Sequence, residues 1–160
     1  MVKTAVITGA STGIGKSLAL QLADVGFRLV LAARSKDKLQ AIAKDIQQKG
    51  GESLPVPTDV SQPEQIKILK EKALDFGNVS VVINNAGTGK FSNIENVTLA
   101  DWNRQMDLNL RASFLVSQAF IPHMKQKKKG SLIFINSVAG KKGYAYSAAY
   151  VASKFGLRGL

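Results

Sequence analysis

Short apolar, β-branched runs alternate with longer amphipathic stretches along the whole chain. This alternation is typical of βαβ units, in which parallel strands form one sheet and helices cover its faces. Strands are predicted at five places, residues 4–8, 28–33, 53–57, 80–84 and 132–136. The predicted fold is therefore α/β, a doubly wound parallel sheet in three α/β/α layers.

Residues with helix-capping chemistry mark the predicted helix ends. Ser61 and Glu64 have the spacing of a capping box for the third helix, and Thr98 with Asp101 opens a long apolar stretch that Pro122 interrupts near its end. No repeat and no Gly/Ser linker divides the chain. A single domain over residues 1–160 is expected.

A glycine-rich turn, TGASTGIG, follows the first strand and opens the first helix. Gly9, Gly13 and Gly15 permit a tight turn and let a pyrophosphate approach the backbone at a helix N-terminus. The spacing is GxxxGxG instead of the general GxGxxG, and glycine turns also serve structural roles. The strand-turn-helix context nevertheless favours a Rossmann-type nucleotide site. The turn contributes three further candidate contacts, Ser11, Thr12 and Ile14.

The end of the second strand indicates which dinucleotide is preferred. An acid about 20 residues beyond the glycines would bind the ribose hydroxyl of NAD, whereas an Arg accommodates a 2′-phosphate. Arg34 occupies this place, and either Ser11 or Ser35, together with Lys36 or Lys38, can support it. The alternative is a solvated Arg at the start of a charged helix, next to Asp37. We expect NADP(H) to be favoured over NAD(H).

Tyr150 and Lys154 stand four residues apart, so one helix face carries both a phenol and an ammonium. An ammonium beside a phenol favours the phenolate, and such a tyrosine can exchange a proton with a substrate oxygen. Tyr144 and Tyr146 lack a lysine at this spacing. Ser137, thirteen positions before Tyr150, is a candidate either for the same site or for a turn.

Composition and charge argue against several other classes of protein. The net charge is +11, but the densest basic run, residues 125–129, lies at a helix end without interleaved aromatic residues, so nucleic-acid binding is not expected. With no Cys and one His, neither a metal site nor a His- or Cys-based hydrolase triad is expected. No signal peptide or membrane-spanning stretch is visible, so a cytoplasmic location without membrane contact is predicted.

Taken together, these motifs make the chain resemble the short-chain dehydrogenase/reductase family. The resemblance rests on the glycine turn, Asp59-Val60, the run NNAG at residues 84–87, Asn109, Ser137, and Tyr150 with Lys154. It implies that Asp59 hydrogen-bonds the adenine and that the dinucleotide contacts also include Val60, Asn85, Ala86 and Gly87. It further implies a catalytic tetrad of Asn109, Ser137, Tyr150 and Lys154.

The resemblance assigns each member of the tetrad a role. Tyr150 is the general acid/base, Ser137 hydrogen-bonds the reacting oxygen, and Lys154 tunes the phenol and holds the nicotinamide ribose. Asn109 anchors a water that leads to Lys154; from the sequence alone it is equally an amide on the helix surface. A homodimer or homotetramer is also implied, with four candidate interface residues, Phe114, Leu115, Phe120 and Phe155.

Family members commonly continue for about 90 more residues, half of a typical small domain. The expectation is therefore a fragment without the last strands and the substrate loop, inactive by itself and with the fifth strand as an apolar sheet edge. The expected activity of the whole protein is NADP-dependent reduction of a 3-oxoacyl compound or another small carbonyl substrate, or oxidation of an alcohol. The alternative is a nucleotide-binding or assembly module without turnover.

Overall fold

The structure, a computed structural model, describes residues 2–160. Five parallel strands form one sheet: β1 (Thr4–Thr8), β2 (Arg28–Ala33), β3 (Ser53–Pro57), β4 (Val79–Asn84) and β5 (Ser131–Phe134). The first three have the predicted bounds. Strand β5 ends two residues earlier than predicted because Asn136 already belongs to a turn, where its Oδ1 accepts a hydrogen bond from Ser137 N at 2.9 Å.

Six α-helices connect or flank the strands: α1 (Gly13–Asp24), α2 (Lys36–Gln48), α3 (Pro63–Phe76), α4 (Leu99–Met106), α5 (Ala112–Gln126) and α6 (Ala148–Gly159). A single π-helical turn, Asp107–Arg111, joins α4 to α5. Pro122 lies inside α5 and does not end it. Among residues 2–160, no helix combines the length and the apolarity needed to cross a membrane.

The strand order is β3-β2-β1-β4-β5, which matches the first five positions of the Rossmann order. The order reverses between β1 and β4. The loops that follow these two strands leave the sheet in opposite directions, so a crevice opens at the carboxyl ends of the strands. Strand β5 lies at the edge of the sheet, as predicted.

The sheet is covered on both faces, because alternate residues of each strand point to opposite sides. One core cluster joins the strand residues Ala5, Ile7, Leu29 and Leu31 to α1 and α2. The other joins Val6, Val30, Ala32 and Val82 to α3 and α5. The doubly wound, three-layer prediction is confirmed.

Two predicted details have different outcomes. Thr98 caps α4, where its Oγ1 accepts a hydrogen bond from Asp101 N at 3.1 Å. The capping box of Ser61 and Glu64 is wrong: α3 begins at Pro63, and both the amide and the hydroxyl of Ser61 donate to Asp59 Oδ1, at 3.0 and 2.7 Å.

The predicted interface residues divide between core and surface. Phe120 is fully buried in the α3/α5 core, so its assignment to an outer surface is wrong. Leu115 is partly buried against the same cluster. Phe114 and Phe155 expose 45% and 42% of their surface and remain candidates.

Candidate functional site

The glycine turn is tied to the loop after β4 by a dense set of hydrogen bonds. Thr8 Oγ1 accepts from the main-chain amides of Asn85 and Ala86 at 3.0 and 3.1 Å. The side-chain amide of Asn85 donates back to the carbonyl oxygens of Thr8 and Gly9 at 3.0 and 3.1 Å. The two loops on either side of the strand-order reversal are therefore held as one unit.

Two glycines in this turn are required by geometry. Gly9 has a φ of +64°, and a Cβ there would lie 2.9 Å from both Ala86 Cα and Asn85 Nδ2. A Cβ on Gly15 would lie 2.5 Å from Asn85 Nδ2 and would also meet the carbonyl oxygen of Gly9. Side chains at these positions would push the loops apart, so glycine preserves the close approach.

A first cavity of about 560 Å³ opens at the carboxyl ends of β1 to β4. Nine predicted contacts line it: Gly9, Ser11, Thr12, Arg34, Asp59, Val60, Asn85, Ala86 and Gly87. Two of the residues predicted to support Arg34, Ser35 and Lys38, also line it, whereas Lys36 does not. The structure therefore brings together segments that lie up to 78 positions apart in the chain, from Gly9 to Gly87.

One wall of the first cavity consists of residues that were not predicted from the sequence. Arg104, Asp107 and Leu108 line it from the end of α4 and the π turn. Their spacing of i, i+3 and i+4 is that of one helix face. A face of this kind can be recognised in the sequence, but the sequence does not show which face meets the cavity.

The electrostatics of the first cavity suit an anionic ligand. The backbone hydrogen bond from Ser61 is the largest influence holding the pKa of Asp59 below its ordinary value; the Ser61 hydroxyl and the charge of Arg34 act in the same direction. Asp59 is thus an ionised acceptor. Three cationic residues, Arg34, Lys38 and Arg104, outnumber the two carboxylates Asp59 and Asp107 around the cavity.

A second cavity of about 310 Å³ lies beside the first. Ten residues line it: Ile14, Asn85, Gly87, Thr88, Gly89, Phe91, Ile135, Asn136, Tyr150 and Lys154. Asn85 and Gly87 line both cavities. The two cavities thus meet at the end of β4, and together they offer one extended groove.

Tyr150 and Lys154 form the chemically distinctive part of the second cavity. Lys154 Nζ lies 5.9 Å from the centre of the Tyr150 ring and donates a hydrogen bond to Ile135 O at 2.8 Å. Burial lowers the pKa of Lys154 below its ordinary value. Phe91 packs edge-on against Tyr150, with 5.6 Å between ring centres. The phenol is therefore held between an apolar ring and a buried ammonium.

Asn109 is fully buried in the π turn, so its interpretation as a surface amide is wrong. Its Oδ1 accepts from Thr88 N at 2.7 Å, and its Nδ2 donates to Thr88 O and to Ser153 Oγ, both at 2.9 Å. Ser153 Oγ in turn donates to Tyr150 O at 2.8 Å. Asn109 thereby connects the loop after β4 to the helix that carries Tyr150.

Ser137 lies in the turn after β5, where its Oγ accepts a hydrogen bond from Ala139 N at 3.1 Å. Ser137 therefore does stabilise a turn, which was the alternative role predicted for it. Ser137 is not among the residues that line the second cavity. Its short 3₁₀ turn packs closely on α6, since a Cβ on Gly140 would lie 2.8 Å from Lys154 O.

Within residues 2–160, no group of three or more His, Cys, Asp or Glu residues is placed to hold a metal ion.

Comparisons with known proteins agree with the motifs and the fold. The family model for short chain dehydrogenase matches residues 3–160. The 3-oxoacyl-[acyl-carrier-protein] reductases of Staphylococcus epidermidis and Staphylococcus aureus are 38% and 36% identical over 162 aligned positions. The alignments include 100% of this chain and 66% of each reductase. The chain thus spans slightly less than two thirds of the length of these relatives.

Solved structures show the same architecture. A metagenomic short-chain oxidoreductase in complex with NADP is 40% identical, with a TM-score of 0.94 over 98% of this chain and 72% of that one. An alcohol dehydrogenase from Thermococcus sibiricus, complexed with 5-hydroxy-NADP, is 35% identical, with a TM-score of 0.95 over 99% and 68% of the two chains.

Proposed function

Because the chain belongs to the short-chain dehydrogenase family, we propose that it carries the dinucleotide site and the proton-transfer groups of an NADP(H)-dependent oxidoreductase. The reaction passes a hydride between nicotinamide and a carbonyl or alcohol substrate. One observation carries the proposal: the groove has Arg34 at one end and Tyr150 with Lys154 at the other, joined at Asn85 and Gly87. The names of the staphylococcal relatives favour 3-oxoacyl compounds as substrates.

The residues around the groove fit a dinucleotide. Gly13 begins α1 and has no heavy atom within 4 Å of an added Cβ, so the main chain is open there to a pyrophosphate at a helix N-terminus. Asp59 is an acceptor for the adenine amine. Arg34 is exposed at the cavity and supplies the planar cation that binds a 2′-phosphate, and NADP-bound relatives support this preference.

Tyr150 moves the proton in the proposed reaction. When bound, the reduced nicotinamide supplies a hydride to the carbonyl carbon. Tyr150 donates its phenolic proton to the oxygen of the same carbonyl, and in alcohol oxidation its phenolate takes that proton back. Lys154 uses one of its three ammonium hydrogens on Ile135 O, which leaves the others for the phenolate and a ribose hydroxyl.

The other two members of the proposed tetrad keep the hydrogen-bonding capacity that their roles need. Ser137 Oγ is an acceptor toward Ala139 N, so its own hydrogen is free to donate to the substrate oxygen. Both amide hydrogens of Asn109 are used by Thr88 and Ser153. A water that leads to Lys154 must therefore bind an oxygen of Asn109. Our candidate is its main-chain carbonyl in the π turn, which accepts from Ser113 Oγ at 3.3 Å and has a second lone pair.

The test measures NADPH oxidation with a panel of ketones and 3-oxoacyl thioesters. Two proteins are compared: the 160-residue chain, and the same chain continued by the C-terminal third of the S. epidermidis reductase. We expect turnover only in the continued chain, because the reacting groups must be held about 3–3.5 Å apart and the 160-residue chain spans only 66% of the length of that reductase. NADPH binding without turnover by the continued chain would favour the alternative, a binding or assembly module.

Tyr150→Phe is the matched variant in the continued chain. It should still bind NADPH but lose at least about 10²-fold in turnover, the low end of a general-acid contribution. Turnover like that of the unsubstituted protein would remove Tyr150 from the mechanism.

We also propose that the protein assembles as a homodimer or homotetramer in the cytoplasm. Phe114 on α5 and Phe155 on α6 are large apolar side chains that are nearly half exposed, which suits a helix-to-helix contact between subunits. Light scattering at micromolar concentration tests the assembly. A monomeric continued chain would contradict it.

A further inference from the structure

The wall formed by Arg104, Asp107 and Leu108 lies on one particular side of the first cavity. Leu108 packs against the core cluster that contains Val60, so both belong to the α3/α5 face of the sheet. The residues suited to phosphate, among them Arg34 and Ser11, come from the end of β2 and from the glycine turn. The cavity therefore has a phosphate side and, at Val60 and Leu108, an apolar side.

Arg104 stands at the rim of the apolar side without a fixed ionic partner. Asp101, one turn before it, accepts from Lys90 Nζ at 2.7 Å, and Asp107 pairs with Arg111 at 3.7 Å. Across residues 2–160, Arg104 has no carboxylate within ion-pair distance. Its exposed guanidinium is thus available to a ligand in the cavity.

We propose that Arg104 is a base-recognition residue, whose guanidinium stacks on the adenine at the rim of the apolar side formed by Val60 and Leu108. A planar guanidinium stacks on aromatic faces, whereas a lysine ammonium has no plane to stack. The proposal rests on the proposed dinucleotide function and extends it. It assigns different roles to two cations of the first cavity. Arg34 recognises the 2′-phosphate, and Arg104 recognises the adenine that NADP(H) and NAD(H) share.

The experiment titrates the 160-residue chain with NADPH, NADH and adenosine 2′,5′-bisphosphate, using calorimetry at protein concentrations suited to weak binding. Arg104→Ala should weaken the binding of all three ligands by the same factor. We expect about fivefold, the size of a cation–π contact between a partly exposed cation and an aromatic ring. Arg104→Lys should recover only part of this affinity, because an ammonium keeps the charge but has no plane to stack on the ring. Arg34→Ala should instead weaken only the two ligands that carry a 2′-phosphate.

Arg158→Ala is the matched control, because Arg158 is exposed, carries the same charge and lines neither cavity. It should leave all three affinities unchanged, and thermal unfolding without ligand checks that each variant is folded. The inference is overturned if Arg104→Ala affects NADPH alone, if Arg104→Lys binds like the unsubstituted chain, or if neither variant changes affinity. Failure of the unsubstituted chain to bind any ligand would overturn the proposed function and, with it, this inference.

Discussion

The contact between the glycine turn and the loop after β4 predicts that Gly15→Ala is strongly destabilising. At an ordinary helical position this substitution stabilises by up to about 1 kcal/mol. Here the new Cβ would lie 2.5 Å from Asn85 Nδ2 and would also meet the carbonyl oxygen of Gly9. Asn85 cannot move away freely, because the same nitrogen donates to Thr8 O and Gly9 O.

The size of the effect follows from these contacts. Extra atoms in a closely packed site cost about 1–3 kcal/mol. Displacing Asn85 weakens two hydrogen bonds, each with a net contribution of about 0.5–1.5 kcal/mol. After the gain in helix propensity is set against these losses, the free energy of unfolding should fall by about 2–4 kcal/mol. Dinucleotide binding should fall as well, because the displaced loops line both cavities.

Gly13→Ala is the control, because it lies in the same turn but has no heavy atom within 4 Å of its added Cβ. Because Gly13 has a φ of +53°, alanine there must adopt a left-handed backbone conformation, which costs about 1–2 kcal/mol. Urea unfolding of the 160-residue chain measures both variants. If Gly15→Ala is as stable as Gly13→Ala or more so, the close approach of the two loops does not set the choice of glycine.

Three further substitutions test individual groups. Arg34→Asp should shift the ratio of NADPH to NADH affinity by about 10²-fold toward NADH, since a charge-assisted bond is replaced by repulsion; an unchanged ratio would make Arg34 a surface residue. Ser153→Ala should lower the free energy of unfolding by about 1–3 kcal/mol because a buried hydrogen of Asn109 loses its acceptor, and Ser153→Thr should retain most of it. Burial lowers the pKa of Lys154, so the unfolded state binds more protons just below the ordinary value of 10.5, and stability should rise with pH there. Lys154→Met should flatten that rise in urea unfolding, and an identical slope in both proteins would show that another group causes it.

The sheet could be predicted from the sequence because its strands are buried on both faces. A strand of this kind forms an uninterrupted apolar run, which is why β1 and β2 have the predicted bounds. The prediction of a capping box was wrong because the Ser61 side chain had two possible hydrogen-bond partners. The spacing to Glu64 is typical of a capping box. In the structure the Ser61 hydroxyl donates to Asp59 instead, and the helix begins at Pro63, a residue favoured at the first helical position.

The candidate site was predictable where one local segment carries its chemistry. Tyr150 and Lys154 share a helix face through their spacing alone, and the structure places both in the second cavity. The wall at Arg104 depends on how distant segments meet, so spacing could not reveal it. The buried environment of Asn109 belongs to the same class.

The π turn that buries Asn109 also changes the spacing of the buried residues along this helical segment. One line of buried residues runs along the helical stretch from α4 to α5, with Ser113 and Ser117 buried beside it: Gln105, Asn109, Ala112, Val116, Phe120 and Met124. Nineteen positions separate the first from the last, whereas five regular turns take about 18 residues at 3.6 per turn. The π turn takes up the extra residue, so α5 keeps its apolar side on the sheet while Arg104 and Leu108 still face the first cavity. A bulge of this kind is common at functional sites, and here it lets one continuous helical segment serve the core, the cavity wall and the link to Tyr150.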